Sequence, residues 1–261
     1  MAPEAKLLIR LNVRHGSGQV AFAHRFGAQV DAVVPLARRS QSLGLPIEGL
    51  SFHVGSQAID PSDFGAALSV ARTAWKILEA AGIKLSILDI GGGFPVSYRD
   101  QTTLPLEVYC LSVRRMIDEK FGDIQAKIIA EPGRILCAEA VSLITTVIGK
   151  QYRGGKLWYT IDDGRYGTFS GRYFSANSFE LLAYPKLRRE QVFIRPEVDP
   201  TQETCMIAGP TCDGGDIVAS DYPLPDLNIG DAILATKVGA YSAVSASEFN
   251  GIPKAKRLWI D

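Results

Sequence analysis

In the first half of the chain, short apolar runs alternate with longer stretches in which apolar residues recur at helical spacing. LLIRLNV (Leu7 to Val13) is rich enough in branched residues for a buried strand. From about Gln29 to Leu43, the residues Val30, Val33, Val34, Ala37 and Leu43 fall near one helical face, closed by Gly44. Pro35 stands inside that pattern and weakens it. IEGLSFHVG (Ile47 to Gly55) reads as a second strand, and Pro61 to Ala81 as a helix ended by Gly82. LSILDIGGG (Leu85 to Gly93) reads as a third strand, with a helix from about Pro105 to Phe121. AKIIAEPG (Ala126 to Gly133) reads as a fourth, with a short helix over Ile135 to Ala140. The runs recur about every 40 residues, which predicts parallel strands joined by right-handed crossovers. Ligand-bearing loops in such folds sit at the carboxyl ends of the strands. His53 and Ser56, Gly91 to Gly93, and Glu131 to Arg134 all stand at such ends.

From about residue 141 the pattern changes. VSLITTVIGK, KLWYTID, QVFIRPEV, TCMIAG, DAILATKVGAYS and AKRLWID read as strands separated by Gly, Pro and Asp. This predicts two domains: residues 1–140 built of β/α units, and residues 141–261 forming an antiparallel β domain. A closed barrel of eight β/α units needs roughly 250 residues. Residues 1–140 offer four strands, so the pattern fits either an open α/β sheet or half of a barrel.

Composition removes whole classes of function. The 261 residues carry 28 Lys+Arg against 28 Asp+Glu, which gives no electrostatic footprint for nucleic acid or an anionic membrane. No apolar run reaches the ~18 residues of a membrane span, and the charged start MAPEAKLLIRLNVR does not read as a signal peptide. Cys110, Cys137, Cys205 and Cys212, with three scattered histidines, form no metal-ligand pattern. Reduced thiols and a cytoplasmic location are the expectation.

Candidate chemistry gathers at the strand ends. GGGFP can bring backbone N–H groups close to a phosphate, or can be a tight turn. A carboxylate at Glu131 would repel a phosphate, so EPGR makes sense only if the ligand also carries a basic nitrogen; otherwise Glu131 and Arg134 are surface charges. His53 is either a structural imidazole or part of the same site. GPTCDGGD places Cys212 beside Asp213, with Asp216 three residues on, in a loop where an acid–base thiol or an incidental cysteine would both fit. Tyr241 and Phe249 lie in a Gly- and Ser-rich stretch near the end.

Taken in order, SFHVGS, LDIGGGFP, EPGR, DDGRYGTF, GPTCDGGD and GAYSAVSASEFNG resemble the fold-type III pyridoxal-phosphate decarboxylases of basic amino acids. The Cys212-Asp213 pair resembles the ornithine branch. The resemblance implies the C-terminal half of an alanine-racemase-like (β/α)8 barrel followed by an antiparallel β domain, with pyridoxal 5'-phosphate as cofactor. It implies that His53 stacks on the pyridine ring above Arg10, and that Glu131 pairs with the protonated ring nitrogen. That proton makes the ring an electron sink. It further implies that Ser56, Gly91, Gly92, Gly93, Arg134 and Tyr241 hold the phosphate, with Pro132 and Gly133 shaping the same loop. Cys212 would reprotonate the α-carbon, and Asp213, with Asp216 nearby, would face the distal ammonium. The implied assembly is a homodimer with shared active sites.

Two positions depart from the family. Its Schiff-base lysine lies on an early barrel strand, whereas Lys6, Lys84 and Lys127 stand at the amino ends of strands, so the chain reads as an N-terminally truncated form, a split gene or a mispredicted start, without activity alone. The substrate-facing acid of ornithine decarboxylases aligns with Phe174-Ser175. The implied reaction is decarboxylation of L-ornithine to putrescine. Lysine, arginine or diaminopimelate decarboxylation, or a catalytically inactive antizyme-inhibitor-like binding role, are the alternatives.

Overall fold

The computed structural model describes residues 5–13, 16, 25–171, 179–185 and 204–260. They form two compact units, one of Met1–Val96 with Thr103–Gly133 and one of Ser97–Thr102 with Arg134–Asp261.

The first unit runs β1 (Leu7–Arg10), α1 (Val33–Ser42), β2 (Ile47–Ser51), α2 (Ser62–Ala80), β3 (Ile87–Asp89), α3 (Leu106–Phe121) and β4 (Lys127–Ile129). All neighbouring strands pair in parallel, in the order β1-β2-β3-β4. The register sets Arg10 opposite Ser51, Ser51 opposite Asp89 and Asp89 opposite Ile129. Side chains alternate along a strand, so Ile9, Leu50 and Leu88 project to the other face. Those three join one core with Val33 and Ala37 of α1, Trp75 and Leu78 of α2 and Ile117 of α3. Each large aliphatic or aromatic side chain buried there contributes about 1.5–3 kcal/mol. One face of the sheet is thus apolar under the helices, and the other carries Arg10, Ser51 and Asp89.

The paired strands are shorter than the apolar runs because the chain leaves the sheet at each carboxyl end to form loops. Pro35 is tolerated as the third residue of α1, in a first turn whose N–H groups lack helical partners. Leu43, expected on the buried face, is 58% exposed: α1 ends at Ser42, and the chain turns at Gly44. An aromatic wedge fixes the loops. Phe64 of α2 meets Phe52 at 6.5 Å, Phe94 at 5.2 Å and Tyr109 at 6.3 Å between ring centroids. The Tyr109 hydroxyl donates to the Ala58 carbonyl at 2.6 Å, and the Gln57 side chain bonds both backbone groups of Val96. The loops after β2 and β3 are therefore tied to each other and to the helices.

The second unit contains α4 (Arg134–Cys137), a 3-10 turn over Ala138–Ala140, and six strands: β5 (Leu143–Arg153), β6 (Lys156–Ile161), β7 (Leu181–Tyr184), β8 (Thr204–Ala208), β9 (Ile217–Pro223) and β10 (Ala232–Ala235). They form one sheet, ordered β7-β10-β5-β6-β8-β9. Its pairs are antiparallel except β6 with β8, which correct the expectation of a wholly antiparallel domain. Residues 162–203 separate those two strands, enough chain to lay β7 at the far edge and return to the same end of the sheet. Strands β7 and β9 were not legible, since Asp221 and Pro223 make IVASDYP read as a loop. AKRLWID is no strand: Leu258, Trp259 and Ile260 are 86–95% exposed and make no ladder, because β propensity needs a partner to pair with. Only Ala232–Ala235 of DAILATKVGAYS is strand. QVFIRPEV lies outside the described residues. Among the described residues, no helix is long and apolar enough to cross a membrane.

Candidate functional site

In the first unit, pairing between neighbouring segments continues past the strand ends. Phe52 N–H donates to Asp89 at 3.1 Å, Ile90 N–H to Ile129 at 2.9 Å, and Glu131 N–H to Gly91 at 2.8 Å. His53, Gly91 and Glu131 each stand two residues beyond the row Ser51-Asp89-Ile129. His53 and the Glu131 backbone both border Gly92, and the Glu131 carboxyl feels the charges of Asp89 and Arg10. Arg10 closes β1 rather than lying mid-strand, and its guanidinium sits 5.1 Å from the centre of the Phe26 ring.

The three glycines answer three different demands. A Cβ on Gly91 would stand 2.0 Å from the Phe52 carbonyl oxygen, and one on Gly93 2.6 Å from that of Gly55; both residues have positive φ, 65° and 114°. A Cβ on Gly92 would meet the His53 Nε2 at 2.9 Å and the Glu131 carbonyl at 2.8 Å. Gly92 is the space between the imidazole and the acid's backbone. His53 Nδ1 accepts the Gly55 N–H at 3.0 Å, which places any proton of the neutral ring on Nε2. Ser56 is buried in the same loop.

Asp89, 5% exposed, accepts the Gly91 N–H at 2.8 Å. Partial desolvation pushes the Glu131 carboxyl above the ordinary range, the Asp89 charge pushes it further, and Arg10 opposes them. Two carboxylates against one guanidinium leave a place for one more positive charge. These acceptors fit a ring with a protonated nitrogen, the group that the motifs imply.

The second unit holds two further clusters. Arg134 opens α4, is 5% exposed, and donates to the Tyr98 hydroxyl at 3.2 Å. Its guanidinium carbon lies 6.0 Å from the Tyr98 ring centre and 4.9 Å from that of Tyr241. Burial pushes the Tyr98 phenol up, against the pull of Arg134. A Cβ on Gly239 would stand 1.7 Å from the Cys137 carbonyl, so only glycine lets the loop bearing Tyr241 press against the end of α4. A guanidinium held between rings keeps a planar fork of donors suited to phosphate.

In the other cluster, Asn250 Nδ2 donates to Cys212 Sγ at 3.2 Å. The Tyr166 hydroxyl donates to Asp213 Oδ2, and Gly215 N–H to Asp213 Oδ1 at 2.9 Å. The Tyr166 ring stacks on Phe249, centroids 4.3 Å apart and planes 26° apart. A pocket beside them is lined by Asp162, Tyr166, Thr211, Phe249 and Pro253 among others. Cys212 and Asp213 are exposed, whereas Asp216 is 2% exposed. Asp216 accepts the Arg165 N–H and the Thr211 hydroxyl, each at 2.7 Å, and the Thr211 N–H at 3.2 Å. Two acids of one motif thus have opposite surroundings, and the geometry of Asp216 is that of a loop brace.

Sequence reasoning passed over Asp89, Tyr98, Tyr166 and Asn250. Asp89 could have been found by its two-residue offset from Gly91; Tyr166 and Asn250 lie inside quoted motifs, and Tyr98 carries no sequence signal. Phe174 and Ser175 lie outside the described residues. Burial pushes the Cys205 thiol up to about 12, and Cys110, Cys137, Cys205 and Cys212 form no disulfide.

Comparison with known proteins follows the same lines. Residues 1–138 match the family model described as pyridoxal-dependent decarboxylase, pyridoxal binding domain. The lysine/ornithine decarboxylase of Selenomonas ruminantium is 36% identical over 249 residues, covering 95% of this chain and 60% of that protein. A crystal structure of lysine decarboxylase from Selenomonas ruminantium matches with a TM-score of 0.81 at 36% identity, over 96% of this chain and 62% of that one. The lysine/ornithine decarboxylase of Vibrio vulnificus complexed with putrescine matches with a TM-score of 0.79 at 32% identity, over 96% and 62%. The chain spans about 60% of the length of the relatives it matches.

Proposed function

This chain belongs to the pyridoxal-dependent decarboxylases, and from that premise we propose that it supplies cofactor-holding and proton-delivering residues for decarboxylation of a basic L-amino acid. Ornithine is the lead substrate and putrescine the product. When bound, pyridoxal phosphate supplies the electron sink that makes loss of CO2 possible. Glu131, held by backbone pairing to Gly91 and subject to the charges of Asp89 and Arg10, would keep the ring nitrogen protonated. His53 would lie against the ring face, and Gly92 leaves room for its imidazole. Ser56, Gly91 to Gly93, Arg134 and Tyr241 are the phosphate contacts, with Pro132 and Gly133 completing the EPGR loop. Cys212 returns a proton to the α-carbon, and Asp213 takes the distal ammonium. Asp216 braces their loop rather than touching substrate. A homodimer with shared sites is the assembly this reading expects.

The observation that carries the reading is an exposed thiol and an exposed carboxylate side by side, each with its own hydrogen-bond donor. The names of the similar enzymes support basic substrates of more than one length. Among the described lysines of the first unit, Lys6 and Lys84 precede strands, Lys127 opens β4, and Lys76 and Lys120 lie on helices. None stands at the strand ends with His53. The test is therefore CO2 release from ornithine, lysine, arginine and diaminopimelate with added pyridoxal phosphate. It is run with this chain alone and with the portion of the Selenomonas ruminantium enzyme outside the matched span supplied in trans. Release only in the mixture, fastest from ornithine, supports the proposal; faster release from lysine overturns the choice of substrate. No release in either arm, with partner binding retained, favours the binding-homologue reading that the lysine placement motivates.

A further inference from the structure

We propose that Asn250 is a positioning residue for the Cys212 thiol, and that the segment Phe249-Asn250 holds both side chains of the Cys212-Asp213 pair. Phe249 acts through Tyr166, whose ring it stacks on and whose hydroxyl reaches Asp213. Asn250 acts directly, with its amide Nδ2 3.2 Å from Cys212 Sγ. Two adjacent residues of one loop thus hold two adjacent residues of another, 38 positions earlier in the chain.

The backbone explains part of the choice of residue. Asn250 has φ 58° and ψ 18°, a left-handed conformation that glycine, asparagine and aspartate adopt most readily. Glycine would suit that backbone without bonding to sulfur, and aspartate would turn a carboxylate toward it. Only asparagine of the three offers an N–H donor. The donor matters if Cys212 delivers a proton, a role that rests on the decarboxylase reading. In that step the S–H bond breaks, a C–H bond forms at the substrate α-carbon, and the sulfur is left anionic until water reprotonates it. A hydrogen bond to a charged acceptor is roughly twice as strong as one to a neutral acceptor, so the Asn250 amide favours the state that follows delivery. It also occupies one side of the sulfur, turning the S–H toward the open side.

The hydrogen bond can be tested without cofactor or turnover. Iodoacetamide labelling of the full chain, followed by peptide mapping between pH 6 and 10, reads Cys212 separately, with exposed Cys110 and Cys137 as internal controls. Expressed relative to its own high-pH plateau, labelling at pH 7.5 should fall about three- to tenfold in Asn250→Gly and further in Asn250→Asp. The control thiols should change by less than about twofold. Normalising to the plateau removes any change in access when the side chain is lost. A Cys212 profile in Asn250→Gly that overlays the wild type would overturn the proposal and leave Asn250 a purely conformational choice. The catalytic reading is judged separately, by whether Cys212→Ala diverts product in an active assembly.

Discussion

The first unit places its candidate residues by sheet register, and the second places them by side-chain hydrogen bonds between distant loops. His53, Gly91 and Glu131 share one offset from the row Ser51-Asp89-Ile129, so backbone pairing brings them side by side at the carboxyl ends of the strands. Cys212 and Asp213 share no sheet row with Tyr166 or Asn250; individual contacts position them, in a loop with no ladder of its own. Backbone register tolerates the loss of any one side chain, because the rest of the ladder remains. The orientation of an exposed side chain held by one or two contacts does not. Substitutions in the first unit should therefore report on the chemistry of the altered group, and substitutions in the second on its geometry as well.

The largest effect expected is at Glu131. In an assembly that decarboxylates, Glu131→Ala should lower turnover by about two orders of magnitude or more, the scale of losing a preorganised charge partner. Phosphate-dependent cofactor affinity should change much less, since the role proposed for the Glu131 carboxylate is toward the ring nitrogen and not the phosphate. Near-normal turnover in that variant would remove Glu131 from the chemistry. Next is Cys212→Ala, which should divert product from the amine to an aldehyde with pyridoxamine phosphate; chromatography of both products reads the ratio. Tyr166→Phe, which leaves the Phe249 stack but removes the donor to Asp213, should raise KM about three- to tenfold with a smaller change in kcat. An equal fall in kcat would mean that Tyr166 serves the reacting atoms instead.

This contrast also explains what the sequence made legible. Register is periodic, and periodicity is visible in LSILDIGGG and AKIIAEPG, so the parallel four-strand sheet and its loop ends could be read from apolar runs. The clamp on Cys212 and Asp213 spans 38 to 47 positions and depends on one amide and one hydroxyl, which leave no periodic trace. Their motifs could be recognised only by resemblance. β9 was hidden because Tyr222 is buried although Asp221 and Pro223 punctuate the strand. AKRLWID shows the converse, since a segment with strand-like residues needs a neighbour to pair with.

A smaller effect separates steric from chemical roles among the glycines. Gly92→Ala should destabilise the first unit by about 1–3 kcal/mol, the range for overpacking, because its Cβ falls within 2.9 Å of both His53 and the Glu131 carbonyl. Gly214→Ala, with nothing within 4 Å, should change stability by less than about 0.5 kcal/mol. Denaturant midpoints for the two variants decide it. Equal effects would mean that the turn at Gly92 relaxes without cost to His53.

The smallest effect expected is a pH dependence at Glu131, and its sign follows from burial first and the neighbouring charges second. Desolvation and the Asp89 charge raise this carboxyl above its ordinary value of 4.5, outweighing Arg10. A raised acid binds its proton more tightly folded than unfolded. Its contribution to stability is therefore fully present below the unfolded value and declines as pH rises through the folded one. Melting temperatures from pH 4 to 7 should fall slightly more with pH for the wild type than for Glu131→Gln, which cannot ionise. A protonated ring nitrogen would reverse that slope by supplying the missing positive charge, so saturating pyridoxal phosphate should remove the difference or change its sign. If the two proteins keep parallel melting profiles without cofactor, the Asp89–Glu131 repulsion is too well screened to matter. If they diverge without cofactor and stay equally divergent with it, the ring nitrogen is not at Glu131, and register has brought the acid to the strand ends for another purpose.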